Sequence, residues 1–116
     1  MAKLIVISWR DIPSQVVVKA GREAHKIQLS HRFQEAIDRA AMRAGKASSD
    51  AYLADWTRSA PESITGDLEA AAQNVADGLE ARYSDEDLLV LIRAHGLEPG
   101  SVPPSERAAQ PGADAV

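Results

Sequence analysis

The sequence predicts an α+β fold, and two observations support this prediction. Two short runs rich in Val and Ile, residues 4–7 and 15–19, have the composition of β-strands and lie close enough in the chain to pair as an antiparallel hairpin. Later segments carry apolar residues at the three- and four-residue spacing of amphipathic helices. We therefore expect a small antiparallel sheet of two or three strands with helices packed on one face.

The connection between the two predicted strands contains the most unusual string of the chain, Trp-Arg-Asp-Ile-Pro at residues 9–13. Pro13 cannot donate a backbone hydrogen bond to a sheet, so we expect the chain to turn here. The predicted turn covers residues 10–14. It is longer than a tight two-residue turn and leaves room for an exposed tip.

The clearest helix of the sequence runs from Ser30 to about Ala44. Its apolar stripe consists of Phe33, Ile37, Ala40, Ala41 and Ala44, and Phe33 is the only phenylalanine of the chain. We expect Ser30 to cap this helix by accepting a hydrogen bond from an amide of the first turn. We also expect Phe33 to be buried against the apolar face of the hairpin.

Two segments are open to more than one interpretation. Residues 22–29 have fair helical potential, yet residues 26–29 alternate polar and apolar as an extended edge does, and we interpret the segment as a connector. Residues 52–57 fit either a third strand or a short helix. We favour the strand, because a two-stranded hairpin is only marginally stable without a further element.

Two more helices are predicted before the composition changes. The first has Thr65 as its expected cap and an apolar stripe of Leu68, Ala72, Val75, Ala76, Leu79 and Tyr83. The second is expected to begin at Ser84, which has capping-box spacing to Asp87, with Asp in place of the usual Glu or Gln, and it contains Leu88, Leu89, Leu91 and Ile92. Residues 98–116 are rich in Pro and Gly and lack apolar periodicity. We therefore predict one domain over residues 1–97, followed by a disordered tail.

Composition limits the function classes. The chain has 116 residues and no cysteine, which excludes disulfides and thiolate metal sites. No apolar run approaches the roughly 20 residues of a membrane span, and no secretory leader is recognisable at the start, so we expect a cytoplasmic protein.

Charge is distributed unevenly along the chain. Up to Lys46 there are nine basic and four acidic residues, a net charge of +5, so the remainder carries −9 of the total of −4. A basic half of this kind is compatible with a nucleic-acid surface, and equally with two halves that attract each other or with a docking face for an acidic protein. The last two interpretations are favoured, because aromatic residues, which stack on bases, make up only 4% of the chain.

No pattern in the sequence specifies catalysis. His25, His31 and His95 have no partners at the spacing of a metal site, and neither a phosphate-binding loop nor a catalytic serine motif is present. We therefore predict no catalytic residues, no metal ligands and no cofactor, and we expect no complete active site within this chain.

The residues that do suggest a function are of the kind found in protein interfaces. In the first segment, Trp9, Arg10, Ile12 and Pro13 would be presented by a stiff loop; in the last helix, Leu89 and Ile92 spread apolar surface beyond one core-facing stripe. The alternative is structural: Trp9 ends a strand beneath the last helix, and Arg10 pairs with Asp11 or stacks on Trp9.

Several separated strings, taken together, resemble a known family. Residues 9–13, 32–38, 40–42 and 50–53, with Trp56, are similar to the small bacterial family labelled "virulence factor". The resemblance covers roughly residues 3–96. The label records an association with virulence and supplies no activity, substrate or catalytic residue.

The resemblance implies an accessory or binding module. Related domains are found in longer proteins beside helical repeats and a domain resembling the N-terminal part of iron–sulfur scaffolds. Stand-alone members accompany folate and corrinoid one-carbon enzymes, including methylenetetrahydrofolate reductase. We therefore expect a non-catalytic adaptor that binds such a larger enzyme, whether methylenetetrahydrofolate reductase or a corrinoid methyl-transfer enzyme. The alternative is a nucleic-acid-binding module that uses the basic N-terminal half.

Overall fold

The computed structural model describes residues 2–46 and 48–104 and has the predicted α+β class. Its elements follow one another as β1 (Ala2–Trp9), β2 (Ile12–Ala20), β3 (Glu23–Gln28), α1 (His31–Arg43), α2 (Ser49–Leu53), β4 (Trp56–Arg58), β5 (Glu62–Ile64), α3 (Leu68–Arg82) and α4 (Asp85–Arg93). The strands form one antiparallel sheet in the order β3-β2-β1, and both β4 and β5 pair with the free edge of β1.

The sheet has five strands rather than the predicted two or three. The segment that we expected to be a connector forms β3, which places Ile27 opposite Val16 and Lys26 opposite Val17. Ile27 packs against the core, whereas Lys26 is exposed. This alternation is what an edge strand with one covered face requires, and it outweighs the helical potential of the same residues.

Residues 52–57 contain both of the predicted alternatives in succession. The helix α2 ends at Leu53, and the strand β4 begins at Trp56. Residues 59–61 then separate β4 from β5. Within this segment, Ser59 forms two hydrogen bonds to β1. Its amide donates to the Val6 carbonyl at 2.9 Å, and its Oγ accepts from the Val6 amide at 2.8 Å.

The hairpin turn is shorter than predicted. Trp9 pairs with Ile12, so only Arg10 and Asp11 lie between the strands. The register then shifts between Ile7 and Ser8, which forms a bulge beside Pro13. Because a bulge interrupts the hydrogen-bond ladder locally, it accommodates a residue that has no amide proton. The prediction of a turn over residues 10–14 is therefore wrong.

The core lies between one face of the sheet and the helices. Phe33 is buried, as predicted, together with Ala36, Ile37, Ala40 and Ala41 of α1. Alternate sheet residues, among them Leu4, Val16 and Val18, belong to the same cluster. The helix α3 packs on β2 and β3, and α1 packs on β2 and α4.

The helix starts follow the predictions in part. Ser84 and Asp87 form the predicted capping box, with two reciprocal hydrogen bonds of 3.0 Å. In contrast, α3 is capped by Asp67, which accepts from the Ala70 amide, rather than by Thr65. Ser30 makes no side-chain cap on α1, because its hydroxyl donates to Glu80 instead.

The predicted tail is partly in contact with the domain. The Glu98 amide donates to Asp11 Oδ2 at 2.8 Å, and Pro103 is buried. The described residues that follow the predicted boundary at residue 97 therefore include one hydrogen bond to the hairpin turn and one buried side chain. The rest of the predicted tail, residues 105–116, lies outside the described residues.

Candidate protein-interaction site

The hairpin turn is held by two distant parts of the chain. Arg10 has a φ of +50°, a left-handed conformation that is uncommon for residues other than glycine. Its amide donates to the Asp55 carbonyl at 3.0 Å, and the next amide, that of Asp11, donates to the Gly96 carbonyl at 2.8 Å. These two hydrogen bonds satisfy the backbone amides of Arg10 and Asp11, and they stabilise the left-handed conformation of the turn.

The Arg10 side chain reinforces the same connections from inside the protein. It is 6% exposed, its Nε lies 3.1 Å from Asp55 Oδ2, and its Nη1 donates to the His95 carbonyl at 2.9 Å. The guanidinium also lies 5.0 Å from the centre of the Trp9 ring. A charge at this depth needs a partner of opposite charge, and Asp55 provides it. The pair connects the hairpin to the segment between α2 and β4.

Trp9 is fully buried beside this pair. Its Nε1 donates to the Tyr52 carbonyl at 2.8 Å, and its ring stacks on that of Tyr52 with 6.0 Å between centroids. Gly96 borders the same ring: a Cβ at this position would lie 3.0 Å from Trp9, and its φ is +81°. Only glycine fits both the close contact with the Trp9 ring and the positive φ at this position.

These contacts correct the first part of the predicted interface. Trp9, Arg10, Ile12 and Pro13 are all buried. The loop therefore does not present them to a partner, and the structural alternative for Trp9 is the one observed. Arg10 lies over the Trp9 ring, as one form of that alternative has it, and its ion pair is with Asp55 and not with its neighbour Asp11. The sequence offered little to find this pair, since Asp55 is distinguished only by its place between aromatic residues.

The second part of the predicted interface, in α4, lies partly at the surface of the protein. In α4, Leu88, Leu91 and Ile92 are buried, Leu89 is half-buried and Val90 is 61% exposed. The predicted exposure of Ile92 is wrong, because residues at positions i, i+3 and i+4 share one helix face and this triplet faces the core. Val90, which is not among the predicted interface residues, is the most exposed apolar residue of the helix.

A groove runs between α1 and α4. It has a volume of about 330 Å³, its floor is formed by the buried residues Ala36, Leu88 and Ile92, and Leu89 borders it. Its rim carries charges of both signs, from Arg32, Glu35, Arg39 and Asp85. An apolar floor with a charged rim is the arrangement that protein-binding grooves use.

One wall of this groove is fixed by ion pairs. Arg32 contacts Glu80 at 3.2 Å and Asp85 at 3.3 Å, and its Nη2 also donates to the Glu80 carbonyl at 2.6 Å. Glu80 in turn accepts from the Ser30 amide and hydroxyl. Burial raises the pKa of Glu80, but the hydrogen bonds from Ser30 and Arg32 outweigh it and hold the pKa below its ordinary value.

A second depression lies on the other side of α4. It has a volume of about 320 Å³, and it is lined mainly by apolar groups of Tyr83, Val90, Leu91 and Pro99. Burial raises the pKa of Tyr83, whose ring packs edge-on against Phe33 at 6.0 Å. The exposed Val90 and half-buried Leu89 therefore form a ridge between two depressions, and we call these two residues the α4 ridge.

Comparison with known proteins identifies the family of this chain. A family model described as virulence factor matches residues 7–92, which is most of the chain. The chain belongs to the virulence factor family. The match includes the hairpin turn, Asp55 and all but the last residue of α4. No curated protein and no solved structure matches the chain.

The described part of this family member contains no arrangement that indicates metal chemistry. Within residues 2–46 and 48–104, no three His, Asp or Glu side chains are grouped as metal ligands. No described helix has the length and apolar character needed to cross a bilayer. The interface-like surface around α4 is thus the feature of the described structure that best supports a function.

Proposed function

We propose that this protein is a non-catalytic adaptor that binds a larger enzyme of folate or corrinoid one-carbon metabolism in the cytoplasm. The observation that carries the proposal is the α4 ridge, an apolar ridge of Leu89 and Val90 with a depression on each side. Exposed apolar surface beside preformed grooves is typical of protein interfaces. The choice of enzyme rests on the folate and corrinoid one-carbon enzymes that stand-alone relatives accompany.

The helix that carries the ridge is well suited to binding. Its start is fixed by the Ser84 capping box, and three of its residues are buried in the core. A partner would therefore meet a pre-ordered helix, and little conformational entropy would be lost on binding. Leu89 is already half-buried and Val90 is 61% exposed, so their complete burial adds only part of the about 1.5–3 kcal/mol that each would supply from full exposure.

The experiment measures binding to the methylenetetrahydrofolate reductase and to a corrinoid methyl-transfer enzyme encoded in the same genome. Each purified enzyme is titrated with this chain by calorimetry, and complexes are checked by gel filtration. We expect one of them to bind, and the double variant Leu89→Asp, Val90→Asp to bind at least about tenfold more weakly, in line with the burial energy.

A matched control uses apolar residues that are just as exposed elsewhere. Met42 is 71% exposed at the end of α1, and Leu53 is 64% exposed at the end of α2. The variant Met42→Asp, Leu53→Asp should bind normally. If neither enzyme binds, the choice of partner is wrong; if the control variant loses binding and the ridge variant does not, the binding surface is wrong.

Nucleic-acid binding is the weaker alternative. Of the three arginines on α1 that could contact phosphates, Arg32 is already paired with Glu80 and Asp85. Arg39 and Arg43 remain exposed, but Glu35 and Asp38 are exposed on the same helix. We therefore expect no binding to DNA or RNA at physiological salt.

A further inference from the structure

The sheet has a second face that takes no part in the core. Residues directly opposite each other in an antiparallel pair lie on the same face, so the register assigns this outer face to Lys3, Ile5, Ile7, Gln15, Val17, Lys19, Ala24, Lys26, Gln28, Arg58 and Ser63. Its larger apolar residues, Ile5, Ile7 and Val17, do not belong to the core cluster, although Val17 is buried.

The outer face has charges of one sign. Lys3, Lys19, Lys26 and Arg58 are exposed on it, and none of its residues is acidic. Lys3 lies directly opposite Lys19, an arrangement that is unfavourable for like charges. The Lys3 ammonium donates to Ser63 Oγ at 2.7 Å, on the side away from Lys19. Opposite charge from outside would relieve this repulsion.

The centre of the face is aliphatic. Ile5 and Ile7 are half-buried, and Val17 is buried. Beside Ile7 lies a shallow hollow to which Trp56 contributes the only ring, and that ring is held edge-on to Tyr52 at 5.7 Å. Nucleic-acid bases would thus find no row of rings to stack on. A second copy placed face to face would bring lysines against lysines.

From this combination we propose that the outer face binds an acidic protein surface with aliphatic residues at its centre. Aliphatic groups would cover Ile5 and Ile7, and carboxylates would pair with the surrounding lysines. The proposal does not depend on the α4 ridge, because α4 packs on α1 and the outer face is turned away from the core. If both surfaces bind, the protein bridges two partners.

The test uses a synthetic dodecapeptide in which Glu and Val alternate, so that an extended strand presents both groups. The full chain, labelled with nitrogen-15, is titrated with this peptide at low salt and observed by NMR. We expect the amide shifts to concentrate at Ile5, Val17, Lys19 and Lys26. Binding should weaken as ionic strength approaches 1 M, where the screening length falls to about 3 Å.

Two variants with equal net charge make the test specific. Lys3→Glu, Lys19→Glu, Lys26→Glu reverses the outer face, whereas Arg39→Glu, Arg43→Glu, Arg93→Glu reverses three exposed arginines of the helices. The first should bind the peptide at least about tenfold more weakly, as expected for three exposed ion pairs, and the second should bind normally.

Other outcomes would overturn the proposal. These are equal losses in both variants, shifts confined to the helices, no binding, or tighter binding of an oligothymidylate of matched length or of anionic lipid vesicles. The shift map of the unmodified chain decides the question even if the first variant fails to fold. None of these results bears on enzyme binding at the α4 ridge, so the two proposals fail separately.

Discussion

Arg10 is a residue at which distant parts of the chain meet. Its backbone, its guanidinium and its neighbour Asp11 contact the segment before β4 and the end of α4. The unusual string at residues 9–13 thus has a structural explanation. A left-handed turn is stable here because two backbone hydrogen bonds and a buried ion pair stabilise one conformation.

Breaking this pair should destabilise the fold strongly. Arg10→Met or Asp55→Asn alone breaks the ion pair and keeps the other buried charge, and removal of one partner of a buried pair costs about 3–5 kcal/mol. The double variant should cost clearly less than the sum of the two, because neither charge is then left behind. Urea denaturation of the four proteins measures this coupling. Strictly additive costs would show that the two side chains act independently.

At the scale of elements, Glu80 connects the end of α3 to the start of α1. It accepts from Ser30, which precedes α1, and it pairs with Arg32 in the first turn of that helix. The folded state favours the ionised carboxylate, because these bonds hold the pKa of Glu80 below its ordinary value of 4.5. Ser30 therefore stabilises α1 through another helix rather than through the predicted cap.

This arrangement makes stability depend on pH. A carboxyl whose pKa is lower in the folded state contributes its full stabilisation above the unfolded-state pKa, and the contribution is lost as pH falls through the folded-state value. The urea midpoint should therefore drop between pH 7 and pH 3 by less in Glu80→Gln than in the unmodified protein. Glu35→Gln, at an exposed position of α1, serves as the control. Equal drops in all three proteins would contradict the role of Glu80.

The elements differ in how well the sequence predicts them. The stripe of α1 with Phe33 and the capping box of α4 depend on neighbours within one helix, so local spacing was sufficient. The strand β3 and the two-residue turn depend on pairing with β2 and on contacts with Asp55 and Gly96, which the local pattern does not contain. In α4, strict helical spacing would have separated Leu89 and Val90 from the buried triplet. The acidic partner of Arg10 lies 45 residues away, and only its place between aromatic residues distinguishes it from other acids.

At the scale of the whole molecule, the C-terminal segment closes the structure around the hairpin. Gly96 packs against Trp9, its carbonyl accepts from Asp11, and the Glu98 amide donates to the Asp11 carboxylate. A few residues further on, Pro103 is buried. The first turn of the sheet and the described end of the chain therefore stabilise each other, although they are far apart in sequence.

Truncation tests this dependence. Removal of all residues after Leu97 deletes a hydrogen bond from an amide to a carboxylate and a buried proline, which together should cost at least about 1 kcal/mol. For a domain of this size, such a loss lowers the melting temperature by about 4 °C or more. Truncation after Pro104 keeps both contacts and should melt like the full chain. Thermal unfolding followed by circular dichroism distinguishes the two proteins. If both truncated chains melt at the temperature of the full chain, residues 98–104 contribute nothing to the fold and the domain ends where the sequence alone placed its boundary.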